Sequence, residues 1–89
     1  MTFRVHILRL FQSADSGIKY VMSLRPEGVI GSGTQFVHYG NDAALCNALN
    51  KLNVAESQQQ RVLSVLRKAT QENFSVDISE DVARRFGWP

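Results

Sequence analysis

Gln58, Gln59 and Arg61, within the stretch SQQQR at 57–61, carry side chains that pair bidentately with base edges, glutamine with adenine and arginine with guanine. A second set, Arg4, His6, Arg9, Lys19 and Arg25, gathers basic groups into residues 4–25 with Asp15 the only acid among them, chemistry suited to phosphates or an acidic partner. Cys46 and His38 are the one pairing of a nucleophile with a base. A thiol in the first turns of a helix is acidified by the helix dipole. Cys46, however, borders the apolar arc of Leu45 and Leu49, where cysteine packs as a small hydrophobe, and no third residue orients the histidine. We therefore assign no catalytic residue and expect no enzyme. His6, His38 and Cys46 match no metal-ligand spacing, so no metal is expected. The glycines of GVIGSGT precede a strand rather than the helix N-terminus that would hold an anion, so no cofactor is expected either. Glu80 and Asp81 opening the last helix, with Arg84 and Arg85 closing it, follow the helix dipole and need no acid–base role.

The chain that positions these groups has 89 residues, 44% hydrophobic and 20% charged, which suits one α+β domain over residues 1–89. One cysteine excludes an internal disulfide and any cysteine-rich zinc site, so a cytoplasmic setting is expected. Arg4, His6 and Arg9 interrupt what would otherwise read as an N-terminal signal sequence, and no segment approaches the ~20 apolar residues of a membrane span. No membrane association is expected. A net charge of +2 is too small to imply a polyanionic partner by itself, although the charges come in blocks along the chain.

Residues 3–11 and 18–25 are rich in β-branched, aromatic and aliphatic side chains around the turn sequence SADSG, the pattern of a β-hairpin. The second strand alternates cleanly, with Ile18, Tyr20, Met22 and Leu24 on one face and Lys19, Val21, Ser23 and Arg25 on the other. The first changes phase between Ile7 and Leu8, which predicts a bulge there and places Arg4, His6 and Arg9 outward beside Lys19 and Arg25. Arg25 to Gly28 reads as a turn, Val29 and Ile30 as a short strand, and Thr34 to Tyr39 as a further antiparallel strand. Asn41 or Asp42 caps a helix over 43–52. A second helix over 58–71 starts at one of two capping boxes, Asn53 with Glu56 or Ser57 with Gln60, and turns Val62, Leu63, Val65, Leu66 and Ala69 inward. Phe74 to Ile78 alternates as a late strand, and Ser79 caps a short helix that Gly87 stops. The predicted fold is an N-terminal antiparallel sheet packed by a two-helix hairpin, with a late strand and a short C-terminal helix.

Residues 55–68, AESQQQRVLSVLRK, have the pattern of the second helix of a helix-turn-helix. Aligning Asn53 with the turn glycine of that motif, however, puts Gln59 where an apolar side chain belongs, so Gln58 and Gln59 are expected to overhang the core and stay exposed. Two functions follow from these surfaces. The first is a small non-enzymatic binding module acting through protein–protein contacts, as an adaptor, small subunit or inhibitor. The alternative is a nucleic-acid binder using Arg4, His6, Arg9, Lys19 and Arg25 on the sheet, or Gln58, Gln59 and Arg61 on the second helix. The first is preferred because stacking aromatics are scarce and the net charge is small.

Overall fold

The computed structural model describes residues 1–10, 19–28 and 36–88. The expected SADSG turn, Phe11, the strand at Val29 and Ile30, and the glycines Gly31 and Gly33 lie outside them. Among the described residues four strands, β1 (Thr2–Arg9), β2 (Tyr20–Pro26), β3 (Phe36–Tyr39) and β4 (Gln71–Asp77), form one antiparallel sheet in the order β3-β2-β1-β4. The helices α1 (Asp42–Lys51), α2 (Glu56–Lys68) and α3 (Glu80–Arg84) of the described residues complete the expected α+β architecture.

The period of two decides which strand residues meet the helices. Phe3, Val5 and Ile7 of β1 and Tyr20, Met22 and Leu24 of β2 are buried, and they share one core with Leu45 and Leu49 of α1, Leu52 just beyond it, and Val62, Leu63 and Leu66 of α2. Ile78, Ala83 and Phe86 close the core from the C-terminal side. Trp88 leans edge-on against Phe3, with ring centroids 5.1 Å apart. The helices therefore cover one side of the sheet. Gln71, Asn73, Ser75 and Asp77 of β4 and Phe36 and His38 of β3 lie exposed on the other.

Four local expectations are corrected. The pairing of β1 with β2 runs unbroken from Phe3↔Pro26 to Arg9↔Tyr20, so there is no bulge at Ile7 and Leu8. Leu8 stays in phase with Arg4 and His6, and Arg9 falls on the helix side. Neither capping box forms. α2 follows Ala55 without a side-chain cap, while Asn53 adopts φ +62°, the left-handed turn conformation that asparagine tolerates better than most residues. Finally, α2 ends at Lys68 and β4 begins at Gln71, three residues before the expected Phe74. The reason is the second edge of β1. Arg9 donates its backbone N–H to the Thr70 carbonyl at 2.7 Å, and pairing continues from Leu8↔Gln71 to Thr2↔Asp77. Extending the helix would leave that row of β1 backbone groups without partners.

The remaining caps and turns follow local chemistry. Asn41 caps α1 by accepting from the Ala44 N–H at 2.8 Å, and Ser79 caps α3 by accepting from the Val82 N–H at 3.2 Å. The β2 exit needs its glycine, because Gly28 sits at φ +80°, where a side chain would be strained. Among the described residues no helix is long and apolar enough to cross a membrane.

Candidate functional site

The uncovered side of the sheet is built by register. Arg4 of β1 stands directly opposite Arg25 of β2 and beside Ser75 of β4; one step along, His6 stands between Ser23 and Asn73, and Ser23 in turn faces Phe36 of β3. The next row on this face is His38, Val21, Leu8 and Gln71. Arg4, His6, Ser23, Arg25 and Asn73 enclose a shallow depression of about 230 Å³. Phe36, 55% exposed, stands at its β3 end, and Leu10, 40% exposed, continues the β1 row.

Two arginines directly opposite each other on neighbouring strands repel, and a sheet tolerates this where counter-charges relieve it. Arg4 finds one at the rim, where its Nε lies 3.6 Å from Glu27, whose carboxylate also accepts the Ser75 hydroxyl. Arg25 is exposed and has no ion-pair partner among the described residues. His6 Nε2 lies 3.0 Å from the Gln71 Oε1 acceptor. Together these groups offer cationic donors, amides and one bare aromatic ring on a rigid sheet, a surface for recognition. No described group here is an activated nucleophile.

Only three of the five basic residues expected on this face share it. Arg9 projects to the helix side, where its guanidinium reaches the Arg67 carbonyl in the last turn of α2 at 3.4 Å. Lys19 pairs with Asp42 at the start of α1 at 2.7 Å, and the same carboxylate oxygen accepts the Tyr20 hydroxyl at 2.6 Å. That cluster shifts each member in the sense its bonds dictate. The Lys19 bond, seconded by Tyr20, holds the Asp42 carboxyl below its usual range, and the Asp42 bond raises Lys19. Burial, then the Asp42 bond, raises Tyr20. It is an anchor between sheet and helix.

The α2 residues divide as well. Gln58 and Arg61 are exposed on the helix layer, away from the sheet's open side. Gln59 is not exposed as expected. It is 6% exposed, and its Nε2 donates to the Val54 carbonyl at 2.8 Å, closing the turn between α1 and α2. The apolar position of the helix-turn-helix pattern is therefore occupied by a glutamine that reaches back to the turn backbone. With Gln59 buried, the base-reading set formed by Gln58, Gln59 and Arg61 is not assembled.

Cys46 and His38 are also separated. His38 is exposed on the open side of the sheet, while Cys46 packs at the core edge on α1. Burial, with the Asp42 and Glu56 charges, pushes the Cys46 thiol up, opposite to what a nucleophile needs. Among the described residues no group of histidine, cysteine and acidic side chains could hold a metal ion.

Leu8, Leu10, Phe36, His38, Gln71, Asn73 and Ser75 join the face although their residue types and spacing did not place them there. Alternation in Gln71-Glu72-Asn73-Phe74-Ser75-Val76-Asp77 held the signal for β4, but only pairing with β1 brings those polar residues beside Arg4 and His6. No family model, curated protein or solved structure matches the chain.

Proposed function

We propose that the protein is a small non-enzymatic binding module acting through protein–protein contacts, and that the open side of the sheet is its binding face. The observation carrying this reading is the cross-strand Arg4–Arg25 pair beside the exposed Phe36 ring on the side of the sheet opposite α1, α2 and α3. Exposed aromatic rings and arginines are the side chains enriched at the centres of protein interfaces, and half-buried Leu8 and Val21 extend the apolar part. The partner surface that fits is acidic, with an apolar residue to cover Phe36.

A second reading, single-stranded nucleic acid, draws on the same Phe36, a ring on which a base can stack. Charge argues against it. Two arginines on the face, one already engaged by Glu27, would release few counterions, whereas tight strand binding usually rests on many phosphate contacts.

The test introduces a photo-crosslinking phenylalanine analogue at Phe36 and compares the adducts with and without nuclease, each with and without Arg25→Glu. Nuclease-resistant protein adducts that Arg25→Glu removes are the expected result. Sub-micromolar binding of a single-stranded oligonucleotide at about 150 mM salt would overturn the protein reading, because non-specific affinities under those conditions are typically ~10⁻⁴ to 10⁻⁶ M. Adducts unchanged by Arg25→Glu would remove the arginine pair from the recognition surface.

A further inference from the structure

On the helix side, away from the sheet's open face, a cleft of about 480 Å³ lies between α1, α3 and β3. Its volume falls within the ~300 to 1,000 Å³ typical of small-molecule sites. Its walls are apolar, made by Val37 and Tyr39 of β3, Ala44 and Ala48 of α1, Val82 of α3, and Phe86 just past α3. The remaining lining groups are Asn47, Lys51 and Arg85. No acid lines it.

The two cations that line this cleft, like Arg25 on the open face, are not neutralised by a carboxylate of the described residues. Arg4, Lys19 and Arg84 each face a carboxylate within 4 Å, at Glu27, at Asp42, and at Glu80 and Asp81 respectively. Lys51 and Arg85 have no such partner among the described residues, and both border the same apolar floor. Glu80 and Asp81, the acids nearest Arg85 in sequence, are engaged by Arg84. Tyr39 adds a hydroxyl with no hydrogen-bond partner among the described residues. Burial pushes its pKa up to about 12, so it stays a neutral donor and does not compete with a bound anion. An apolar body with two cations at its edge calls for a ligand of the opposite pattern.

We propose that the cleft between α1, α3 and β3 binds a small carboxylate on an apolar body, the body lying between Val37, Ala48, Val82 and Phe86 and the carboxylate held by Lys51 and Arg85. Arg85 supplies the planar donor fork that matches a carboxylate, and Lys51 a point charge. This site is independent of the open sheet face, and neither reading depends on the other.

The probe is naphthalene-2-carboxylate, titrated into the full chain and followed by amide chemical shifts. The expected result is a saturable shift confined to α1, α3 and β3, with the neutral naphthalene-2-methanol and inorganic phosphate each binding at least about tenfold more weakly. A charge-assisted hydrogen bond accounts for a loss of that size. Arg85→Glu and Lys51→Glu, both at exposed positions and checked for an unchanged far-ultraviolet spectrum, are each expected to weaken the carboxylate by a similar factor. Equal binding of the alcohol, equal binding of phosphate, or shifts lying outside the cleft would overturn the proposal. Because the alcohol and phosphate comparisons use the unmutated chain, the result does not depend on either variant folding.

Discussion

Gln59 is the residue at which the base-reading and structural interpretations of α2 diverge most, and alanine there separates them. Its side chain is 6% exposed and donates to the Val54 carbonyl at 2.8 Å. Losing a hydrogen bond of this kind costs a net ~0.5 to 1.5 kcal/mol, and a carbonyl left dry raises that to about 1 to 3. The buried methylene adds about 0.8 kcal/mol, and the better helix propensity of alanine returns a few tenths. Gln59→Ala should therefore destabilise the fold by about 2 kcal/mol, or roughly 8 to 16 °C in midpoint for a domain of this size. The neighbouring Gln58→Ala, at an exposed site, should stay within about 0.5 kcal/mol. Urea unfolding followed by the fluorescence of Trp88, the only tryptophan, measures both. Gln59→Glu makes the chemistry more specific, because it replaces the donor with a carboxylate oxygen facing a carbonyl. It should cost more than alanine at pH 7. Burial raises the pKa of such an acid in the folded state, so the deficit should shrink as pH falls and the group protonates. If Gln58→Ala and Gln59→Ala have equal stabilities, the side chain does not hold the α1–α2 turn, and Gln59 returns to the surface as a recognition residue.

Leu66, fully buried on the inner face of α2, should cost about 2 to 5 kcal/mol when replaced by alanine; a change under about 0.5 would show that α2 buries a different face. Asp42 has a folded-state pKa below its unfolded value, so its contribution to stability is present above the ordinary carboxylate range and is lost as pH falls through that range toward the lowered value. Asp42→Asn should flatten that acid limb in unfolding curves, and an unchanged pH dependence would show that the Lys19–Asp42–Tyr20 cluster does not form in solution. Cys46 should react slowly with iodoacetamide near neutral pH in the folded protein and faster on unfolding, since burial and two nearby acids raise its thiol. Rapid labelling of the native state would contradict that environment.

Periodicity was the legible part of this chain. Strict alternation in 20–25 made β2 readable, the helical spacing of Leu45, Ala48, Leu49 and Leu52 made α1 readable, and the caps Asn41 and Ser79 were visible as residue types. Features that depend on which element lies next to which were not legible. The phase change at Ile7 and Leu8 resembles a bulge in sequence, yet the pairing on both sides of β1 holds it straight and sends Arg9 to the end of α2. Lys19 alternates with the outward residues, but its flexible stem reaches the Asp42 carboxylate that starts α1. Gln59 is polar and reads as exposed, yet a buried polar side chain is tolerated once a backbone carbonyl accepts from it, and the α1–α2 turn supplies Val54. The sequence by itself determined the type and order of the elements, because each follows from neighbours within a few residues, but not the boundary between α2 and β4, which pairing with β1 sets. Alternation placed Arg4, His6, Ser23 and Arg25 on the open face, but the rest of its composition was decided by tertiary structure. Residues 4, 6, 25, 36 and 73 meet only when β4 pairs with β1 and β3 with β2, and those long-range pairings satisfy strand backbone that no local segment can satisfy alone.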